Sequence, residues 1–193
     1  MQAHHQPYRV RSAGRMTAPA LLSLFVFMGC PQTPEQQAVR AVERLGGKLK
    51  FAGQDADRAV TEVDLSRTLV ADADLEQLRP FARLQALNLS GTAITDRGLA
   101  VLRDFGSLKK LNLTLTKISD AGLTSLAGLP ELEELYLVET GITDAGVAEL
   151  KRLAHLRMLV LLRTAISAAA VDEVRRALPG ARIQIEPRRS AGS

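Results

Sequence analysis

From Val60 onward, aliphatic residues return at a fixed interval of 24 positions. Leu84, Leu108, Leu132 and Leu156 form one column. Leu87, Leu111, Leu135 and Leu159, with Ile183, form a second, and Leu89, Leu113, Leu137 and Leu161, with Ile185, a third. Thr68, Thr92, Thr116, Thr140 and Thr164 are identical at the same interval, and Ile94, Ile118, Ile142 and Ile166 stand two residues after the last four. Val60, Val63, Leu65 and Val70 carry the pattern one unit upstream. The units are 60–83, 84–107, 108–131, 132–155 and 156–179, followed by a closing strand at 180–186.

Two periodicities share each unit. Leu-x-Leu alternates with period two and predicts a strand that sends its leucines to one face. Leu99, Leu102 and Phe105 have helical spacing. Thr95, Ser119, Thr143 and Ser167 stand where a helix N-cap is needed. Asp96, Asp120 and Asp144 follow in the first turn, where the helix dipole favours negative charge and makes capping a better account than metal binding. Gly98, Gly122 and Gly146 come next, with Asp74 and Ala170 in that place in the outer units. This predicts a site for a small or polar residue rather than for positive φ. The threonine hydroxyls are expected to bond backbone groups of their own and the neighbouring turn. One unit buries about seven apolar side chains, worth on the order of 10–20 kcal/mol gross. Ordering its residues costs as much or more, so stability requires stacked units that share one core.

The unit reads L-x-x-L-x-L-x-x-T-x-I-[ST]-D-x-G-L-x-x-L-x-x-[LF] and resembles the leucine-rich repeat family, with Thr where that family more often has Asn or Cys. The I-[ST]-D-x-G-L segment is similar to the cysteine-containing subclass and its bacterial relatives. The resemblance covers residues 60–186 and implies an α/β solenoid: a right-handed superhelix with a short curved parallel sheet and helices on the convex side. The last unit departs from the pattern, with Ala168 in place of Asp and Ala170 in place of Gly, as expected of a terminal coil.

Residues 30–59 read as a short linker and a helical N-terminal cap. Thr33-Pro34-Glu35-Gln36 has a Thr N-cap, Pro at the first helical position and Gln at the capping-box position. Ala38, Val39, Val42 and Leu45 follow at helical spacing, Gly46-Gly47 ends the helix, and Lys48 to Phe51 alternates like a short strand. Residues 54–58 read as a turn or exposed loop. Upstream, residues 1–17 are polar with three arginines, and residues 18–28 are apolar and uncharged. A helix of that second length spans about 16 Å, against about 30 Å of hydrocarbon. The plan is that of a signal peptide over 1–29. Phe27-Met28-Gly29-Cys30 resembles the lipobox of bacterial lipoproteins, matching at Gly29 and Cys30 and departing at Phe27 and Met28. The resemblance implies a lipidated Cys30 that anchors an exported protein to a membrane of the cell envelope. Residues 187–193 form a polar tail, read as disordered.

Charge and chemistry narrow the function. The formal charge is +4, yet Arg9, Arg11, Arg15, Arg188 and Arg189 lie in the two tails. Between them, 20 basic residues face 21 acidic ones, so no basic stripe for nucleic acid is indicated. Cys30 is the only cysteine, and His4, His5 and His155 are the only histidines, too few and scattered for a metal site. No catalytic set, phosphate loop or dinucleotide motif appears, and no cofactor is implied. Glu133-Glu134 reads as a charged rim, and His155 as solvated surface in an interunit turn.

The non-leucine strand positions face outward on the concave side. Apart from Ala86 they are polar through Glu62, Asp64, Ser66, Asn88, Ser90, Lys110, Asn112, Thr114 and Glu134. They become apolar at Tyr136, Val138, Met158, Val160 and Leu162. These five, with Asn88 and Asn112, are the candidate partner-binding residues of a noncatalytic protein-interaction module. Recognition of glycan or peptidoglycan fragments is the alternative, although such sites usually stack several aromatics. A degradation adaptor would need a recruitment domain, for which 33–59 is too short. The open ends of the arc could also pair two copies weakly.

Overall fold

A computed structural model describes residues 32–54 and 58–185. The chain divides into two units after Thr33, and the second, from Pro34 onward, carries the cap and the repeats. Residues 1–29, read from the sequence as a signal peptide, Cys30, Glu186 and residues 187–193, read as a disordered tail, lie outside the described residues.

Helix α1, Pro34–Arg44, buries Ala38, Val39, Ala41 and Val42. It stops at Gly46, whose φ of 80° supplies the left-handed residue that ends a helix. The Glu35 carboxylate accepts from the Val60 N–H at 3.3 Å, fastening the helix to the first repeat. Strand β1, Lys48–Ala52, then pairs antiparallel with β2, Ala59–Asp64, with a register shift between Lys50 and Phe51.

Every later strand adds in parallel. β3 is Ala86–Asn88, β4 Lys110–Asn112, β5 Glu134–Tyr136, β6 Met158–Leu161 and β7 Arg182–Ile185. The spatial order equals the chain order, so each coil contacts its neighbours in sequence. The fold is the α/β solenoid expected from the repeats, with β1 as the one antiparallel member among the described strands.

Opposite the sheet, helical turns close each coil. They are α2 (Asp96–Leu99), α3 (Asp120–Leu126), α4 (Val147–Leu150) and α5 (Ala168–Ala177). Tight 3-10 turns at Asp72–Leu78, Ala100–Asp104 and Asp144–Gly146 complete them. An inner coil has room for only one or two helical turns on this side, and 3-10 geometry closes a short segment with fewer residues, whereas α5 in the last coil runs for 10 residues. The core is a leucine stack: Leu87, Leu111, Leu135 and Leu159 are registered neighbours and fully buried.

The threonine column bonds its own turn. The hydroxyls of Thr68, Thr92, Thr116, Thr140 and Thr164 donate to the carbonyls of Leu65, Leu89, Leu113, Leu137 and Leu161 at 2.6–3.0 Å. The link to the neighbouring coil belongs instead to the aspartates. The Asp96 carboxylate accepts from the Ser119 N–H at 2.8 Å and the Ser119 hydroxyl at 2.6 Å. Asp72 holds Thr95, and Asp120 holds Thr143, in the same two-pronged way. Asp144 accepts from the Ser167 N–H at 2.6 Å. The Ser/Thr hydroxyls cap the helical turns as expected, for example Ser119 Oγ accepting from Ala121 N–H at 3.3 Å. Capping therefore explains the hydroxyls but not the carboxylates, which reach forward into the next coil.

The glycine column follows from this bridge. A Cβ on Gly98, Gly122 or Gly146 would collide with Oδ1 of Asp72, Asp96 or Asp120 respectively. The glycines make room for a carboxylate, and none of the three has positive φ. Ala170 fills this place in the last coil, where Ser167 instead caps the Ala170 N–H at 3.2 Å.

The candidate binding face of the sheet

The strand registers fix two rows on the face opposite the core. One runs Glu62, Ala86, Lys110, Glu134, Met158, Arg182, and the other Asp64, Asn88, Asn112, Tyr136, Val160, Gln184. The sequence-predicted residues Asn88, Asn112, Tyr136, Met158 and Val160 thus share one surface. Val138 and Leu162 lie just past the ends of β5 and β6.

Asn88 and Asn112 are turn-holding residues. Their side-chain oxygens accept from the Ser90 and Thr114 N–H groups at 3.1 and 3.0 Å, as Asp64 does from Ser66 at 2.9 Å. An Asx side chain stabilises a turn in this way without any partner. At Tyr136 and Val160 the same row has lost that acceptor and become aromatic or apolar.

Tyr136 is half-buried and tied into a polar triad. Its hydroxyl donates to Glu134 at 2.8 Å, and the Lys110 ammonium lies 2.7 Å from the same carboxylate oxygen. The ammonium also sits 5.4 Å from the Tyr136 ring centroid. The Lys110 hydrogen bond is the main influence holding the Glu134 carboxyl below its ordinary pKa, with the Tyr136 bond adding to it. The bond to Glu134 is the first cause raising both Lys110 and Tyr136. A lowered carboxylate loses its contribution as pH falls through its folded value, and a raised ammonium loses its own as pH rises through its folded value. The triad is therefore intact across neutral pH. It fixes the ring's orientation, which lowers the entropy cost of using that ring as a contact.

Met158, Val138 and Leu162 are likewise half-buried, leaving apolar surface open to solvent beside Tyr136. Val160 departs from expectation. It is 5% exposed, a short side chain registered between the larger Tyr136 and Gln184, and it offers almost no contact area.

Sequence reasoning missed Leu115. The residue before each repeated threonine has left-handed backbone: Arg67, Gly91, Leu115, Glu139 and Arg163 have φ of 53–67°. Their N–H groups prolong the ladder past the strands, Leu115 donating to Val138 O and Glu139 to Leu162 O at 2.8 and 3.0 Å. This geometry turns Leu115 out to 53% exposure beside Val138, adding an apolar side chain to the patch. Left-handed φ costs a leucine about 1–2 kcal/mol. Leu115→Asn is expected to raise stability by about 0.5–1 kcal/mol, measured by urea unfolding, because Asn tolerates this region better.

Glu133 pairs with Arg157 at 3.4 Å, consistent with a charged rim, and His155 is exposed. A cleft of about 300 Å³ near the loop end of the β1–β2 hairpin, beside Ala52 and Ala59, is lined by small and polar residues, with Arg83 its one charged side chain. No helix among the described residues is long and apolar enough to cross a membrane.

The Leucine Rich repeat family model matches residues 84–102 and 107–127. A comparison with curated proteins returns no match. Among solved structures, the leucine-rich repeat ectodomain of a receptor kinase from Arabidopsis thaliana aligns over 81% of this chain and 92% of its own, with a TM-score of 0.50 and 13% identity. That likeness is one of fold. A leucine-rich repeat protein of Leptospira interrogans aligns over 56% of this chain with 24% identity and a TM-score of 0.44, and the match spans only 27% of that protein's chain. An internalin C2 of Listeria monocytogenes aligns over 81% of this chain and 88% of its own, with 21% identity and a TM-score of 0.41.

Proposed function

We propose that this leucine-rich repeat solenoid is a noncatalytic protein-binding module, held at a membrane of the cell envelope by a lipidated Cys30. The observation that carries the binding role is the half-open apolar patch of Tyr136, Val138, Met158 and Leu162 on an otherwise polar face, extended by Leu115. A rigid aromatic flanked by aliphatic side chains and rimmed by charge is the composition of an interface centre. The Lys110–Glu134 pair beside it supplies polar contacts at the rim. The signal-peptide plan and Gly29-Cys30 support export and anchoring. The I-[ST]-D-x-G-L segment supports the cysteine-containing-like subclass. With Pro31-Gln32-Thr33 between Cys30 and the cap, the anchor permits a reach of about 10 Å, so the module works close to the bilayer.

The test is co-purification from native membranes, comparing wild type with Tyr136→Ala/Leu162→Ser. Loss of one or more partners is expected. An unchanged partner set removes the patch from consideration. In the same cells Cys30→Ala is expected to move the protein to the soluble fraction, and unchanged fractionation overturns the anchor.

A further inference from the structure

Both large hydrophobic side chains that stand exposed among the described residues lie on one rim, where the chain leaves the strands. Leu69 is 96% exposed and Leu115 53%. The repeat requires a leucine at neither place. Positions equivalent to Leu69 hold Ala93, Lys117, Gly141 and Ala165, and those equivalent to Leu115 hold Arg67, Gly91, Glu139 and Arg163. Over the first three coils the rim therefore carries Arg67 and Leu69, then Gly91 and Ala93, then Leu115 and Lys117. The middle coil contributes no bulk, so the leucines and the cations stand clear of it. The Arg67 N–H donates to Ser90 O and the Gly91 N–H to Thr114 O, which keeps these coils at strand spacing and sets Arg67 about 10 Å from Leu115.

The two cations differ from most others on the surface. Lys109, Lys110, Arg157 and Arg163 are each paired with a glutamate. Arg67 and Lys117 are exposed and have no acidic partner among the described residues. The carboxylates on this side are engaged within the fold: Asp64 accepts from the Ser66 N–H, and Asp72 and Asp96 bridge to Thr95 and Ser119. Exposed leucine beside an unpaired cation suits a lipid surface, where the leucine enters the acyl boundary and the cation meets headgroup phosphate.

We infer that this rim lies on the bilayer and that its occupant is the phosphate and upper acyl layer of anionic lipid. The assignment rests on the anchor proposed at Cys30. The anchor selects a membrane over a soluble partner, because Pro31-Gln32-Thr33 permits about 10 Å between it and α1. The rim begins beside the other end of α1, where a Cβ on Gly46 would lie 4.0 Å from Thr68 Cγ2. α1 measures about 16 Å, so a molecule lying with α1 along the surface reaches it at both ends. Each cation near an anionic surface multiplies the bound-to-free ratio about fivefold. Two cations and two leucines orient a tethered molecule without recruiting a free one, which agrees with the release expected of Cys30→Ala. Leu115 is the corner that the rim shares with the open face.

The experiment uses the anchored protein from native membranes, reconstituted into vesicles of phosphatidylcholine and phosphatidylglycerol. The chain has no tryptophan, so Leu69→Trp and Met158→Trp each report a single site. Leu69→Trp is expected to show blue-shifted emission and quenching by brominated acyl chains, and Met158→Trp neither. Adding Arg67→Glu/Lys117→Glu to Leu69→Trp is expected to lower the docked-to-undocked ratio, read from that quenching, about tenfold or more. Vesicle-bound protein without quenching at position 69, or quenching indifferent to the charge reversal, overturns the inference and leaves the anchor standing. Quenching at position 158 alone puts the open face on the bilayer and overturns it too. Protein that does not stay with the vesicles overturns the anchor and the rim assignment together. Should Leu69→Trp not fold, amine acylation of the wild type decides: Lys117 protected on vesicles relative to Lys151 supports the rim, and equal labelling overturns it.

Discussion

Gly122→Ala is expected to lower the free energy of unfolding by about 2–4 kcal/mol. The added methyl has nowhere to go. Its ideal position overlaps Asp96 Oδ1 and lies 3.0 Å from Leu99 Cδ1 and 3.1 Å from Ile118 Cγ2. Aliphatic neighbours on one side and a carboxylate on the other leave the Asp96 side chain as the part that moves. When it moves, the Ser119 N–H and hydroxyl lose their shared acceptor. Unmaking a charge-assisted pair of this kind costs about 2 kcal/mol or more where the donors are partly buried. Asp96→Ala is expected to cost about 2 kcal/mol by itself through the same loss. The double variant Gly122→Ala/Asp96→Ala should then cost clearly less than the sum of the two, because removing the carboxylate vacates the space that the new methyl needs. Additive costs in urea unfolding would show that the glycine column has nothing to do with the bridge.

The second large effect concerns position along the stack. Leu111→Ala is expected to cost about 3–5 kcal/mol, and Ile183→Ala about 1 kcal/mol, although the two residues occupy the same column. Leu111 has registered neighbours on both sides, Leu87 and Leu135, and is fully buried. Truncating it leaves a hole walled by two coils that cannot collapse independently. Ile183 packs against Leu159 on one side and is half-buried. Water already reaches it, so truncation exposes little that was dry. Similar costs at the two sites would contradict a core built from neighbour contacts.

The fold was legible because a fixed interval of 24 residues can be met only by coils of equal length, and Leu-x-Leu fixes which way each strand faces. The roles of individual columns were legible in part. Thr92 and its equivalents announced a backbone bond, and their own turns receive it. Asp96 announced a helix start, but a carboxylate one residue past a cap can face its own helix or the next coil. Only the close approach of stacked coils, made possible by Gly122, decides for the latter. The left-handed column was hidden because Arg67, Gly91, Leu115, Glu139 and Arg163 share no chemistry. Gly91 alone hints at it, and Leu115 was therefore absent from the candidate patch. For Val160 the register gave direction correctly but not depth, because exposure depends on the size of the neighbours in adjacent strands.

The aspartate bridges also run one way. In each, the coil nearer the N-terminus supplies the acceptor and the following coil supplies the donors, two in the inner three bridges and the Ser167 N–H in the last. If the later coil peels off, a carboxylate is released to water, which solvates it well. If the earlier coil is lost first, an N–H and a hydroxyl held in folded backbone exchange a charged acceptor for water, a weaker one. Unravelling is therefore easier from the C-terminal side, the ratchet resisting in the other direction.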